Sequence, residues 1–199
     1  MDPDHVVAVA ALTARTRSVL RAAWLGVIWG LGHTLTLFAV GSAIILLNLT
    51  LPPRAGLAFE FVVALALVIV GALNLGRAAW SDDRLSAPCL PASRTFAVGL
   101  AHGLAGSAAV ALLVLATARN PREACAYLLV FGLGTLCGMA MITTAFAAPL
   151  SVAVRRWPSF GRSARVATGG ISLALGAWLI LHIAFVDGLF LAHARWIPR

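Results

Sequence analysis

Long apolar segments separated by short polar ones dominate the sequence. Five of these segments lie at 22–49, 57–79, 95–118, 124–150 and 166–190, and a shorter one lies at 3–14. A transmembrane helix needs about 20 apolar residues to cross about 30 Å of hydrocarbon. The five are long enough, whereas the short segment would rise only about 18 Å. The pattern predicts an all-α, polytopic membrane protein with five full transmembrane helices and a partial N-terminal one.

An internal repeat relates the two halves of the chain. The sequence Gly-Leu-Gly-His-Thr at 30–34 is matched 102 residues later by Gly-Leu-Gly-Thr at 132–135. Val-Gly-Ala at 70–72 is matched 105 residues later by Leu-Gly-Ala at 175–177. An odd number of helices per half forces the halves into opposite orientations, as in many transporters. The sequence therefore predicts two inverted three-helix repeats.

A hydrophilic stretch at 81–94 separates the two repeats. It contains two aspartates and two prolines, which interrupt the apolar pattern. The predicted organisation is a first repeat at 1–80 with a partial first helix, a linker at 81–94, and a second repeat at 95–199.

Composition agrees with this class. Hydrophobic residues make up 61% of the chain, charged residues 11%, and the mean hydropathy is +0.94, which is well outside the range of soluble domains. We expect the lipid bilayer as partner, and a bacterial-type inner membrane as the location of a multi-pass protein. The net charge is +8, but no basic patch is interleaved with aromatic residues, so a nucleic-acid partner is not expected.

The arginine distribution predicts the orientation. All 15 basic residues are arginines. Ten lie on one side of the predicted spans and five on the other: Arg15, Arg17, Arg21, Arg77, Arg84, Arg94, Arg155, Arg156, Arg162 and Arg165 against Arg54, Arg119, Arg122, Arg195 and Arg199. By the positive-inside rule the first side, which includes the linker, is cytoplasmic and both chain ends lie outside.

Two chemical classes are not expected. A P-loop ATPase requires a lysine, and the chain contains none. The cysteines Cys89, Cys125 and Cys137 form no Cys-x-x-Cys pair, which argues against thiol–disulfide chemistry. We therefore expect neither an enzyme nor a bound cofactor.

Small residues predict which helix faces pack. Three glycine pairs are spaced four residues apart, a pattern that lets membrane helices approach closely: Gly26 and Gly30, Gly99 and Gly103, and Gly134 and Gly138. His33 and His102 each follow a glycine by three residues and share those faces. Both histidines are therefore predicted to face the protein interior rather than lipid.

The candidate metal ligands are three histidines and two aspartates. His5, His33 and His102 lie in three different segments, and Asp2 and Asp4 lie beside the first of them. Neutral imidazole with a carboxylate suits nickel, cobalt or zinc better than magnesium or calcium, which prefer oxygen ligands. Two structural alternatives stay open: the histidines could be hydrogen-bonded struts between helices, and Asp2 could cap a helix whose first residue is Pro3.

Polar and sulfur-containing side chains elsewhere could line a path for an ion. The candidates are Thr34, Ser107, Cys137, Thr143, Thr144 and Glu60. The alternative for the hydroxyls is a bond to their own helix, for the sulfur a packing role, and for Glu60 an interfacial position that reaches headgroup water. His182 is predicted to be a packing residue, since its nearest acid, Asp187, is not at helical spacing.

These motifs carry a resemblance. Asp4-His5 followed by Gly32-His33-Thr34 resembles the first signature of the nickel/cobalt transporter family. The stretch at 99–109 is similar to the second-half motif of the short, UreH-type branch of that family, and Gly138-Met139 with Thr143-Thr144 resembles a motif of its long branch.

The resemblance implies a function and a site. It implies a secondary transporter that takes up Ni²⁺, with Co²⁺ as the second candidate substrate, to supply enzymes such as urease or hydrogenase. Asp4, His5 and His33 would bind the ion, and His102 would come from the opposing repeat. The open alternatives are a metal or amino-acid exporter of similar topology and a non-transporting membrane protein that assists metalloenzyme maturation.

The chain departs from the family pattern in two places. Long-branch members carry acids where this chain has His102 and Thr143, so selectivity between the two metals does not follow. The family's first histidine would stand five positions before Asp4, ahead of Met1. We therefore expect the natural chain to begin upstream, with half a membrane helix and one more histidine.

Overall fold

The computed structural model describes residues 3–13, 18–47, 52–80, 91–103, 120–191 and 193–196. Its elements, in chain order, are α1 (Pro3–Thr13), α2 (Val19–Leu47), α3 (Pro53–Trp80), α4 (Ala92–His102), α5 (Pro121–Arg156), α6 (Pro158–Leu181) and a π-helical turn, His182–Val186. The stretches long and apolar enough to cross a membrane are Val19–Ala43, Pro53–Gly76, Arg122–Val154 and Phe160–Val186. The described part of the chain is thus helical throughout its regular structure, as predicted.

The partial first helix is found, and the fifth full span is not established. α1 has 11 residues and rises about 16 Å, too little to cross a bilayer. Of the predicted span at 95–118, the structure describes only the part that belongs to α4 and Gly103. The rest of that span and linker residues 81–90 lie outside the described residues.

α5 is longer than its apolar segment predicts. It begins at Pro121, three residues before the predicted span, and extends over 36 residues. The Asn120 side chain accepts a hydrogen bond from the Glu123 backbone N–H at 2.9 Å and donates one to the Glu123 carboxylate at 2.8 Å. A helix end is set by such caps and by proline in the first turn, not by where the apolar run begins.

Close glycine contacts hold two long helix pairs together. α2 packs along α5, where Gly26 lies against Thr143 and Gly30 against Leu136. α3 packs along α6, where Gly176 lies against the Ala64 carbonyl. α2 and α5 contain the matched glycine motifs at 30–34 and 132–135, and α3 and α6 contain those at 70–72 and 175–177. The inverted relation between the halves itself stays a prediction.

One predicted glycine interface is wrong. No described atom lies within 4 Å of where a Cβ would stand on Gly134 or Gly138, whereas Gly26, Gly30, Gly99 and Gly103 all meet a neighbouring helix. The spacing of four residues was present in all three pairs, but spacing places two residues on one face without saying which face is covered. α5 turns the Gly134 side outward because its other side holds α2.

Buried polar bonds fix the short helix α1. It packs against α3, α5 and α6. Asn74 of α3 is fully buried, and its Nδ2 donates a hydrogen bond to the Ala11 carbonyl at 3.0 Å. Ser172 of α6 donates similarly to the Leu67 carbonyl of α3 at 2.8 Å. The Asn74–Ala11 bond fixes the height of α1 along the bundle, and the Ser172–Leu67 bond joins α6 to α3.

Replacing Asn74 with leucine is expected to lower the apparent melting temperature in detergent. Interhelical hydrogen bonds in membrane proteins contribute about 0.6 kcal/mol on average and up to about 1.7. We expect the contribution of the Asn74 hydrogen bond to lie at the upper end of this range, because Asn74 is fully buried and donates to a backbone carbonyl. A decrease of about 2–5 °C follows for a chain of this size.

Thr168→Val is the matched control, since the Thr168 hydroxyl bonds only carbonyls of its own helix among the contacts described. Equal melting temperatures for the two variants would contradict the anchoring role.

The π-helical turn brings together two residues that the sequence had separated. Asp187 was predicted to be too far from His182 for a contact at helical spacing. In the π-helical turn the Asp187 backbone N–H donates to the His182 carbonyl at 3.0 Å, five residues back. The Asp187 carboxylate consequently lies 3.2 Å from His182 Nδ1. The prediction was wrong because it assumed α-helical geometry through residue 186.

Candidate functional site

Three buried histidines meet at the centre of the bundle. His5 of α1, His33 of α2 and His102 of α4 are between 1% and 3% exposed. The His5 ring lies 5.6 Å from the His33 ring and 5.2 Å from the His102 ring, centroid to centroid. All three were predicted from the sequence to be candidate ligands on interior faces, and the structure places His5 beside both of the others.

Glycines bring α2 and α4 close enough for this contact. A Cβ on Gly99 would overlap the Trp29 carbonyl, and a Cβ on Gly103 would overlap the His33 carbonyl. A Cβ on Gly32 of α2 would lie 2.9 Å from the Leu100 backbone nitrogen. The two backbones therefore touch where His33 and His102 project, which is what small residues at membrane helix crossings permit.

A tryptophan completes the cluster, and sequence reasoning missed it. Trp29 is fully buried, its ring stacks on His5 at 5.9 Å, and it meets the His102 ring edge to face at 5.2 Å. Its Nε1 has no hydrogen-bond partner among the described residues. The signal was available, because Trp29 lies four residues before His33 and so occupies the same helix face.

Backbone and hydroxyl bonds orient the cluster. His102 Nδ1 lies 3.1 Å from the Val98 carbonyl of its own helix, which favours the tautomer with hydrogen on Nδ1 and a lone pair on Nε2. The Thr36 hydroxyl lies within hydrogen-bond distance of the Gly32 carbonyl at 3.2 Å and the Leu100 carbonyl at 3.0 Å, and so ties α2 to α4 one turn from His33. A neutral Nε2 is the form of imidazole that binds a metal ion.

The ring spacing suits an ion, although the rings stand edge to face. Two imidazoles on one tetrahedral ion have centroids about 5 Å apart, since each metal–nitrogen bond is about 2.0–2.1 Å. The centroid distances of 5.2 and 5.6 Å are close to that value. Among the residues that the structure describes, no three His, Cys, Asp or Glu side chains already converge as a metal-binding group. Ion binding at this cluster would therefore require rotation of the imidazoles about χ2, with little movement of the helices.

The predicted acidic ligands are only partly placed. Asp4 lies in the first turn of α1, one residue before His5, and nothing is described of its side chain. Asp2 and Ser107 lie outside the described residues. Their roles stay predictions.

The predicted path residues are distributed over the bundle. The Thr34 hydroxyl bonds the Gly132 carbonyl at 3.4 Å, between α2 and α5. Thr143 is buried and bonds the Met139 carbonyl at 2.7 Å, and Thr144 bonds the Ala140 carbonyl at 2.6 Å, so both bond within their own helix. Cys137 is exposed on the outer side of α5 and is not part of the buried cluster.

Glu60 of α3 lies in a second buried region, where the segment after the π-helical turn packs on α3. It is 9% exposed, and its Oε1 accepts a hydrogen bond from Trp196 Nε1 at 2.9 Å. The path-lining and interfacial roles considered from the sequence both stay predictions.

Comparison with known proteins gives one full-length relative and two partial ones. The chain is 32% identical over 203 aligned residues to the urease accessory protein UreH of Bacillus sp. (strain TB-90), covering 96% of this chain and 89% of that protein. It is 26% and 24% identical to the Arabidopsis thaliana chloroplast proteins FOR GROWTH AND FERTILITY 1 and 2 and spans 57% and 54% of their lengths. No protein-family profile and no solved structure matches the chain.

Proposed function

Because the chain belongs to the UreH family and is a helical membrane protein, we propose that it transports a divalent transition-metal cation across a bacterial-type inner membrane. Ni²⁺ is the proposed substrate and Co²⁺ the second candidate. The observation that carries the proposal is the meeting of His5, His33 and His102 in the buried centre of the bundle.

The chemistry of the cluster favours borderline divalent metals. Three imidazoles offer neutral nitrogen ligands, which suit Ni²⁺, Co²⁺ and Zn²⁺ and are poor ligands for Mg²⁺ and Ca²⁺. Neutral ligands also avoid the cost of a buried charge when no ion is bound. Asp4, one residue before His5 in the chain, is the proposed carboxylate ligand.

The membrane potential is the proposed driving force. Moving one charge through 100 mV is worth about 2.3 kcal/mol, so a divalent cation gains about 4.6 kcal/mol on entry to an inside-negative cell. This energy corresponds to a gradient of about a thousandfold without ATP. In the proposed cycle, the α2–α5 and α3–α6 pairs shift relative to one another and expose the cluster to each side in turn.

Reconstituted protein tests the proposal directly. The purified chain in liposomes that contain a nickel-sensitive dye should admit Ni²⁺ when valinomycin sets an inside-negative potential, and the initial rate should rise with that potential. Liposomes with the triple variant H5A/H33A/H102A are the control. Flux equal to that of protein-free liposomes would contradict the proposal and favour the accessory role, and amino-acid flux without metal flux would favour the exporter alternative.

A further inference from the structure

The segment after the π-helical turn folds back over the Pro53 end of α3. We call its described residues, 187–191 and 193–196, the strap. The strap turns at Gly188, whose φ of 76° lies in the left-handed region, and the turn is closed by a hydrogen bond from the Arg195 backbone N–H to the Asp187 carbonyl at 2.9 Å. The arginine distribution predicts that this end of the bundle is the outer one.

Ring contacts, a hydrogen bond and apolar packing on the cluster of Leu57 and Ala64 hold the strap on α3. The Trp196 indole lies on Gly56, where a Cβ would overlap its six-membered ring. Arg54 Nη2 donates a hydrogen bond to the Leu191 carbonyl at 3.2 Å, and Phe190 meets Phe61 edge to face at 5.9 Å. The strap is thus a short segment of nine described residues held by side-chain contacts at the end of the bundle, a kind of segment that can open locally without global unfolding.

Glu60 lies directly beneath this cover. It is 9% exposed and accepts the hydrogen bond from Trp196 Nε1 at 2.9 Å. A carboxylate at membrane depth is costly and marks an ion pathway or a functional partner in many membrane proteins. A strut between α3 and the strap would need only a hydroxyl or an amide, so the structural role of this bond does not require a charge.

A continuous buried stripe leads from Glu60 to the histidine cluster. Glu60, Ala64 and Leu67 occupy one face of α3, and the last two are fully buried. Leu67 packs in the same cluster as Trp29, the ring that stacks on His5. Seven residues of helix separate Glu60 from Leu67, about 10 Å. Glu60 therefore stands about two helical turns from the level of the histidines, on the face of α3 that leads to them.

We propose that Glu60 is the entry site for the divalent cation on the strap side of the bundle, and that the strap gates it. This inference rests on the proposed transport function. When Trp196 lies on Gly56, it covers the Glu60 carboxylate, which accepts the hydrogen bond from its indole N–H. When the strap lifts, the carboxylate accepts a hydrated cation and passes it along α3 to the imidazoles. The apparent affinity for the cation is then reduced by the fraction of time that the strap is closed.

Two glycines of α3 provide a matched test of the gate. Gly56→Ala should displace Trp196, whereas Gly76→Ala places a methyl group in open space on the same helix. The reporter is a single cysteine at Leu57, which is 1% exposed and packs under Trp196 and Ala194, in a chain with Cys89, Cys125 and Cys137 replaced by serine. Maleimide labelling of the purified chain in detergent should be at least tenfold faster with Gly56→Ala and unchanged with Gly76→Ala. Equal labelling of the two variants would overturn the gate.

Nickel uptake kinetics test the entry site. Gly56→Ala and Trp196→Phe, which removes the indole N–H donor together with the five-membered ring, should lower KM several-fold because the strap opens more readily. Glu60→Gln keeps an oxygen acceptor for Trp196, so labelling should stay slow while KM rises about tenfold. An unchanged KM in Glu60→Gln, or in Gly56→Ala despite faster labelling, would overturn the proposal.

The two proposals fail in different ways. If liposomes with the parent chain carry no more nickel flux than protein-free liposomes, the transport function itself is wrong. If His5→Ala abolishes flux but Gly56→Ala and Gly76→Ala share one KM, transport stands and the entry site at Glu60 is wrong.

Discussion

Replacing His5 with alanine should abolish nickel accumulation in cells and leave the amount of protein in the membrane unchanged. His5 is the imidazole whose ring lies against both His33 and His102, so its loss removes the ligand that joins the other two. Loss of one of the three imidazoles should weaken ion binding by more than the roughly 10–100-fold that loss of an outer-shell partner costs at a metal site. Uptake of radioactive nickel at submicromolar concentration, with membrane protein quantified by immunoblot, measures both quantities.

His193→Ala is the matched control for that variant. His193 is exposed, and its side chain makes none of the described contacts between the strap and α3, so its replacement should leave uptake within twofold of the parent chain. A second variant, His5→Gln, keeps a polar group of similar size and should be as inactive as His5→Ala. Normal uptake by both His5 variants would show that the three histidines are struts between helices rather than ligands.

Gly99→Ala is expected to disrupt the cluster without touching a histidine. The new methyl group would overlap the Trp29 carbonyl and lie 2.6 Å from Trp29 Cδ1, so α2 and α4 must separate. Overpacking of this kind costs about 1–3 kcal/mol, which lowers the apparent melting temperature by about 5 °C. Because His33 and His102 lie on the two helices that separate, nickel uptake should fall by at least tenfold.

Gly138→Ala gives the opposite expectation for the same chemical change. No described atom lies within 4 Å of a Cβ at Gly138, and alanine is favoured over glycine in helices by about 1 kcal/mol. Its melting temperature should equal or exceed that of the parent chain, and uptake should be unchanged. The assignment of close packing to Gly99 would be wrong if the two variants lost the same stability.

The contacts of α1 place His5 beside the other two histidines. His5 lies in the first described turn of α1, is 3% exposed and lies against the His33 and His102 rings. Asn74 fixes the height of α1 through the Ala11 carbonyl.

The helical class and the histidines of the site could be predicted from the sequence because both depend on local signals. Apolar segments longer than about 20 residues can satisfy their backbone in lipid only as helices. His33 and His102 could be assigned to interior faces because each follows a glycine at helical spacing. The resemblance of the same motifs to a transporter family agrees with the 32% identity to a UreH protein.

Other features depend on contacts between segments far apart in the chain, and these only the tertiary structure decided. Gly134 and Gly138 have the same spacing as Gly99 and Gly103, yet only the second pair faces a neighbouring helix, because spacing defines a face and packing determines what covers it. Trp196 covers Glu60 from 136 residues away. The sequence by itself determined the helices and the types of candidate ligand, since periodicity and side-chain chemistry are local. The structure decided which side chains meet, since that depends on how the helices pack.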